Sequence, residues 1–123
     1  MRLVSDIRFR GTVRLDPGAM RRAFHNIVGN ARDAMPHGGT LRVATAERDG
    51  QVGVEFTDTG IGMPEEVRRR VGEPFFSRGK KQGTGLGMAM VKKILDDHRG
   101  AVEIESAPGA GTTVRLLLPL GAG

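Results

Sequence analysis

The chain has no cysteine, no tryptophan and no tyrosine among its 123 residues. Disulfides, thiolate nucleophiles and cysteine-based zinc sites are therefore excluded together. Five phenylalanines are the only aromatics, too few for the stacking platforms on which single-strand nucleic-acid binders rely, so no nucleic-acid partner is expected. No apolar run approaches the ~20 residues that cross a bilayer, and no signal-peptide core opens the sequence. The expectation is a cytoplasmic domain with no direct membrane contact.

What is present is ordinary for a globular fold, with 38% hydrophobic and 27% charged residues. The length suits one domain spanning residues 1–123. Nineteen Lys and Arg against 14 Asp and Glu give a charge of +5, which favours polyanions such as nucleotides and phosphates. Glycine is over-represented at 19 residues, seven of them between Gly60 and Gly87. That concentration, without matching serine or proline, reads as backbone that approaches a ligand closely.

Apolar alternation at Ile7, Phe9, Val13 and Leu15 predicts a half-buried strand over Asp6–Leu15. Asp16-Pro17 supplies a cap and a first-turn proline for a helix over Pro17–Met35, stopped by Pro36, Gly38 and Gly39. Thr40–Glu47 and Gln51–Asp58 form a hairpin about Asp49-Gly50. A short helix runs from Pro64 to Val71, a mobile loop from Gly72 to Gly83, and a second long helix from Thr84 to His98, ended by Gly100. Strands Ala101–Ser106 and Thr112–Leu118 close the chain. This order predicts an α+β fold, a two-layer sandwich whose mixed, mostly antiparallel sheet is covered on one face by about three helices.

With 100° per residue and Phe24 at zero, Ile27, Val28, Ala31 and Met35 fall within roughly 60° of it, whereas Asn26, Asn30 and Asp33 fall at roughly 200°, 240° and 180°. Three short oxygen-bearing side chains thus share the ridge opposite the core stripe. They are either a solvated face or ligands to a magnesium phosphate, since hard cations take oxygen donors. Asp58 shares strand parity with Val52, Val54 and Phe56, which aims its carboxylate at the covered face, where it needs donors. The exocyclic amine of an aromatic base would serve; capping the turn at Gly60 is the alternative. Gly83-Thr84-Gly85-Leu86-Gly87 runs into a helix whose free N–H groups and dipole suit phosphate, with Arg78, Lys80 and Lys81 just upstream. His25, His37 and His98 read as structural, His98 by complementing a helix end.

The succession Asn26-x-x-x-Asn30, Asp58-Thr59-Gly60-Ile61-Gly62-Met63-Pro64, Glu73-Pro74-Phe75-Phe76-Ser77 and Gly83-Thr84-Gly85-Leu86-Gly87-Met88 closely resembles the N, G1, F and G2 boxes of the ATP-binding domain of sensor histidine kinases, in the GHKL superfamily. The resemblance covers roughly residues 12–119 and implies ATP held with Mg2+ beneath a flexible lid. It implies a nucleotide site made of Asn26, Asn30, Asp33, Asp58, Gly60, Gly62, Met63, Phe76, Arg78, Lys80, Lys81, Gly83, Thr84, Gly85, Leu86, Gly87 and Thr112. Within it Asn26 and Asn30 would be catalytic, Asn30 would bind magnesium, Asp58 would accept from the adenine amine, and Thr112 would join the water network around the base. Phe75 and Phe76 would anchor the lid.

In the gyrase and chaperone branches the first N-box position is a glutamate that activates water; here it is Asn26, an amide that cannot act as a base. Phosphoryl transfer is therefore favoured over hydrolysis. Asp33 and Ala34 stand where many members carry lysine and an aromatic, so Arg32 or the lid lysines would take over phosphate clamping. The resemblance implies a catalytic fragment that phosphorylates a histidine on an upstream dimerisation domain, for later transfer to a response regulator, and that is inactive in autophosphorylation on its own. The alternatives are an anti-sigma-like serine kinase, a nucleotide-sensing module without catalysis and, less well supported by the glycines after Asp58, an S-adenosylmethionine-binding methyltransferase.

Overall fold

The computed structural model describes residues 1–7, 13, 15–71 and 87–120. Its first strand, β1, is Arg2–Ile7, four residues ahead of the expected start at Asp6; of the strand expected over Asp6–Leu15, residues 8–12 and 14 lie outside the described residues, and Val13 and Leu15 are not in a strand. β1 pairs in parallel with β2, Thr40–Arg48, from Arg2 opposite Thr40 to Ile7 opposite Thr45. Leu15 is exposed just before the first helix, and Phe9 lies outside the described residues. The earlier start has a physical cause: Arg2 already pairs with Thr40 at the beginning of β2, and β1 buries so little, with Leu3 and Ile7 64% and 50% exposed, that alternation does not mark it.

Helix α1, Pro17–Asp33, begins where Asp16 accepts a hydrogen bond from the Ala19 N–H at 3.1 Å and Pro17 fills the first turn. It buries Met20, Ala23, Ile27 and Ala31, and as the connection between parallel β1 and β2 it lies over the sheet. Asp49 and Gly50, both at positive φ (53° and 78°), form the primed turn into β3, Gln51–Asp58. Helix α2 is Glu65–Arg70, and α3 is Gly87–Asp97. The predicted start of the last helix at Thr84 lies outside the described residues. It ends at Asp97, one residue before the expected His98; Arg99 takes the left-handed conformation, at φ 60°, and the Gly100 N–H donates to the Leu95 carbonyl at 2.7 Å. Gly100 is needed for space, because a Cβ there would run into the Leu117 carbonyl oxygen.

Strands β4, Ala101–Ser106, and β5, Thr112–Pro119, complete a sheet of order β1-β2-β3-β5-β4, with β1–β2 parallel and the remaining pairs antiparallel. The predicted two-layer fold is the observed one. Between the layers Leu41, Val91, Leu95 and Leu116 are fully buried, and Phe24 meets Phe56 edge to face with centroids 5.4 Å apart. Leu116→Ala is expected to cost about 2–5 kcal/mol, read as a lowered midpoint in urea unfolding.

The opposite sheet face is polar. Arg115 reaches Glu103 at 2.9 Å, Glu55 at 3.4 Å and Glu105 at 3.7 Å. Hydrogen bonds to Glu103 and then Glu55 raise its pKa above the usual arginine value, so it stays charged at any working pH. At the far end of the helix layer, the His98 Nε2 accepts from the Asp16 N–H at 2.9 Å while Nδ1 lies 2.7 Å from the Ile94 carbonyl oxygen. Only the neutral ring with its proton on Nδ1 satisfies both. His98 thus fastens the start of α1 to the end of α3.

Candidate functional site

β3 alternates buried and half-buried positions, and its last residue carries that phase to Asp58, which is 7% exposed. Asp58 Oδ1 accepts from the Gly60 N–H at 2.9 Å and from the Thr112 N–H at 3.1 Å. Its Oδ2 has no partner among the described residues. One oxygen caps the turn and the start of β5, as the capping reading expects. A buried carboxylate oxygen without a donor is costly, so a ligand N–H at this point gains more than it would at the surface.

The segment 59–63 is stitched on both sides. On one side, the Ile61 N–H donates to the Ala34 carbonyl at the end of α1 at 3.0 Å, and the Thr40 N–H at the start of β2 donates to Thr59 Oγ1 at 3.0 Å. Toward the β4–β5 hairpin, the Gly109 N–H donates to the Ile61 carbonyl at 2.7 Å and the Met63 N–H to Ser106 Oγ at 2.8 Å. Gly60 and Gly62 make this possible. A Cβ at Gly60 would sit 2.5 Å from the Ala34 carbonyl oxygen, and one at Gly62 would overlap that of Ala107. The crowding they relieve is between segments of the protein itself. Ile61, between them, is 56% exposed, an apolar side chain left at the mouth of the site.

The helix end is assembled similarly. Asn30 lies one turn before Ala34, so the bond from Ile61 to Ala34 brings the asparagine ridge toward the Asp58 turn. Asn26 is half-buried. Its amide nitrogen donates to the Arg22 carbonyl at 2.9 Å, and its Oδ1 would stand 2.9 Å from a Cβ at Gly87. The first residue of α3 is thus packed against the middle of α1. Asn30 is half-buried and Asp33 exposed on the same helix. Phe75, Phe76, Arg78, Lys80, Lys81, Gly83, Thr84, Gly85 and Leu86 lie outside the described residues.

Ser106, which sequence reading missed, is the hub of the other wall. Its Oγ lies 2.8 Å from Thr112 Oγ1 and donates to the Gly111 carbonyl at 2.9 Å, besides accepting from Met63. The only sequence signal for it was its place opposite Thr112 beside the turn of the hairpin. Among the described residues no cluster of three His, Asp or Glu could hold a metal. A divalent cation here would be shared between an amide oxygen and ligand oxygens, as magnesium accepts when it keeps waters and phosphates. Nor is any helix among the described residues long and apolar enough to cross a membrane.

Residues 15–122 match the family model described as histidine kinase-, DNA gyrase B-, and HSP90-like ATPase. Sporulation kinase C of Bacillus subtilis is 38% identical over 105 residues, 85% of this chain and 24% of that protein. The sensor-like histidine kinase SenX3 of Mycolicibacterium smegmatis is 36% identical, over 85% of this chain and 28% of its own length. Among solved structures, the mycobacterial sensor histidine kinase MprB superposes with a TM-score of 0.85 at 32% identity, covering 96% of this chain and 80% of that one. Full-length ShkA in complex with AMPPNP superposes at 0.83 with 27% identity, over 96% of this chain and 25% of that one. The chain spans about a quarter or less of the length of the sporulation kinases A, C and E.

Proposed function

The chain belongs to the histidine kinase-, DNA gyrase B-, and HSP90-like ATPase family as the ATP-binding catalytic domain of a sensor histidine kinase, and from that premise we propose how its residues hold ATP and where the γ-phosphate goes. The carrying observation is the buried Asp58 carboxylate, one oxygen anchored by two backbone N–H groups and the other without a partner among the described residues. That oxygen takes the exocyclic amine of adenine, and Ile61 packs beside the ring. Asn30, supported by Asn26, offers an amide oxygen to magnesium bound on the phosphates. The metal, when present, neutralises charge that develops on the transferring phosphoryl group.

Asn26 positions without abstracting a proton, so the domain presents the γ-phosphate to an acceptor and leaves water unactivated. The acceptor is a histidine on a separate dimerisation domain of the parent protein, and the phosphoryl group passes on to a response regulator. Arg78, Lys80, Lys81 and the glycine-rich run before α3 hold the phosphates, in a cytoplasmic setting. The histidine is an inference from Asn26 and from the kinase relatives that the chain resembles.

The test is labelling of the parent protein with γ-32P-ATP, followed by acid and alkali treatment. An acid-labile, alkali-stable label is the expected result; an acid-stable one would assign serine, and absence of label would leave a nucleotide-sensing module. Asn30→Ala is expected to reduce labelling at least about tenfold while nucleotide affinity measured without magnesium stays within about twofold of the wild type. Equal loss of affinity with and without the metal would remove Asn30 from the metal site.

A further inference from the structure

Hydrogen counting around Ser106 fixes the polarity of the wall beside Asp58. Ser106 Oγ carries one proton and has three neighbours at hydrogen-bond distance. The Met63 N–H, 2.8 Å away, can only donate. The Gly111 carbonyl, 2.9 Å away, can only accept, so the serine proton goes there. The remaining contact, 2.8 Å to Thr112 Oγ1, must then run from threonine to serine. Thr112 thereby has its only hydroxyl proton engaged by Ser106, which leaves its Oγ1 an acceptor on the strand position paired with Asp58, whose carboxylate is held in place by the Thr112 N–H at 3.1 Å.

From this we propose that Ser106 is a specificity-determining residue: by engaging the Thr112 proton it makes the base subsite a pair of acceptors, which admits a purine with an amine at the recognised position and rejects one with a carbonyl there. The proposal rests on the reading of Asp58 and Thr112 as the base subsite. An amino purine satisfies both acceptors, directly or through a water; an oxo purine sets its carbonyl oxygen against them at that position, with its nearest donor, the ring N1–H, displaced to the neighbouring atom. Ser106 acts through Thr112 and needs no contact with the nucleotide.

The test is calorimetric binding of ATP and GTP to the chain and to three variants. Wild type should prefer ATP. Ser106→Ala frees the Thr112 hydroxyl to rotate and donate, and should shift the ATP-to-GTP affinity ratio about tenfold toward GTP. Ser106→Thr, which keeps the hydroxyl, should restore the ratio. Thr112→Val, which has no proton to release, should gain no GTP affinity. A parallel weakening of both nucleotides in Ser106→Ala would overturn the proposal, as would GTP binding by Thr112→Val. Wild type that binds neither nucleotide would instead refute the base-subsite reading itself.

Discussion

Asp58→Asn is expected to weaken ATP binding about 100-fold while the domain stays folded. An asparagine can keep its carbonyl oxygen on the Gly60 and Thr112 N–H groups, the two bonds that Oδ1 makes now. Its amide then occupies the position of Oδ2 and presents a donor where the adenine amine also presents one. Loss of a hydrogen bond to a buried charge, about 1.5–3 kcal/mol, accounts for the factor of about 100. Titration calorimetry gives the affinity and thermal unfolding the control, where a shift of only a few degrees is expected. Affinity within threefold of the wild type would show that the carboxylate does not hold the base. Asp58→Ala makes a poorer test, because it leaves two N–H groups without their acceptor and loosens the fold along with the site.

The second large effect concerns stability. Gly62→Ala should cost at least about 3 kcal/mol, a large part of the margin of a domain this size. Gly62 has φ 70°, where a side chain costs roughly 1–2 kcal/mol, and its Cβ would overlap the Ala107 carbonyl and lie 3.2 Å from the Gly111 oxygen. Relief would require the β4–β5 hairpin to move away from the Asp58 turn. Gly109→Ala is the matched control: φ is 75° but nothing lies within 4 Å of the added methyl, so about 1 kcal/mol is expected. Urea unfolding of both variants separates conformational strain from collision. Equal losses would mean that the hairpin yields freely.

Much of this was legible in the chain because local rules and tertiary demands agree. The Asp16-Pro17 signal sets the start of α1, where the Asp16 side chain caps Ala19. Alternation along β3 carries a phase that reaches Asp58, so the burial of that carboxylate follows from strand parity. The start of β1 was missed because it depends on a parallel partner that lies 38 residues away in sequence, as the pairing of Ser5 with Val43 illustrates. Ser106 escaped notice for a related reason. A serine at a strand end has no distinctive local pattern, and its meaning appears only when the hairpin register sets it opposite Thr112. Asn26 was ambiguous on a helical wheel, since nothing in α1 reveals that the start of α3 comes to rest on it.

The clasp of His98 on Asp16 joins the end of α3 to the start of α1, and Gly87 at the start of α3 sits against Asn26 in the middle of α1. A pair secured at two points cannot scissor or roll as a pair secured at one can. The two contacts together fix the asparagine ridge relative to the N-terminus of α3.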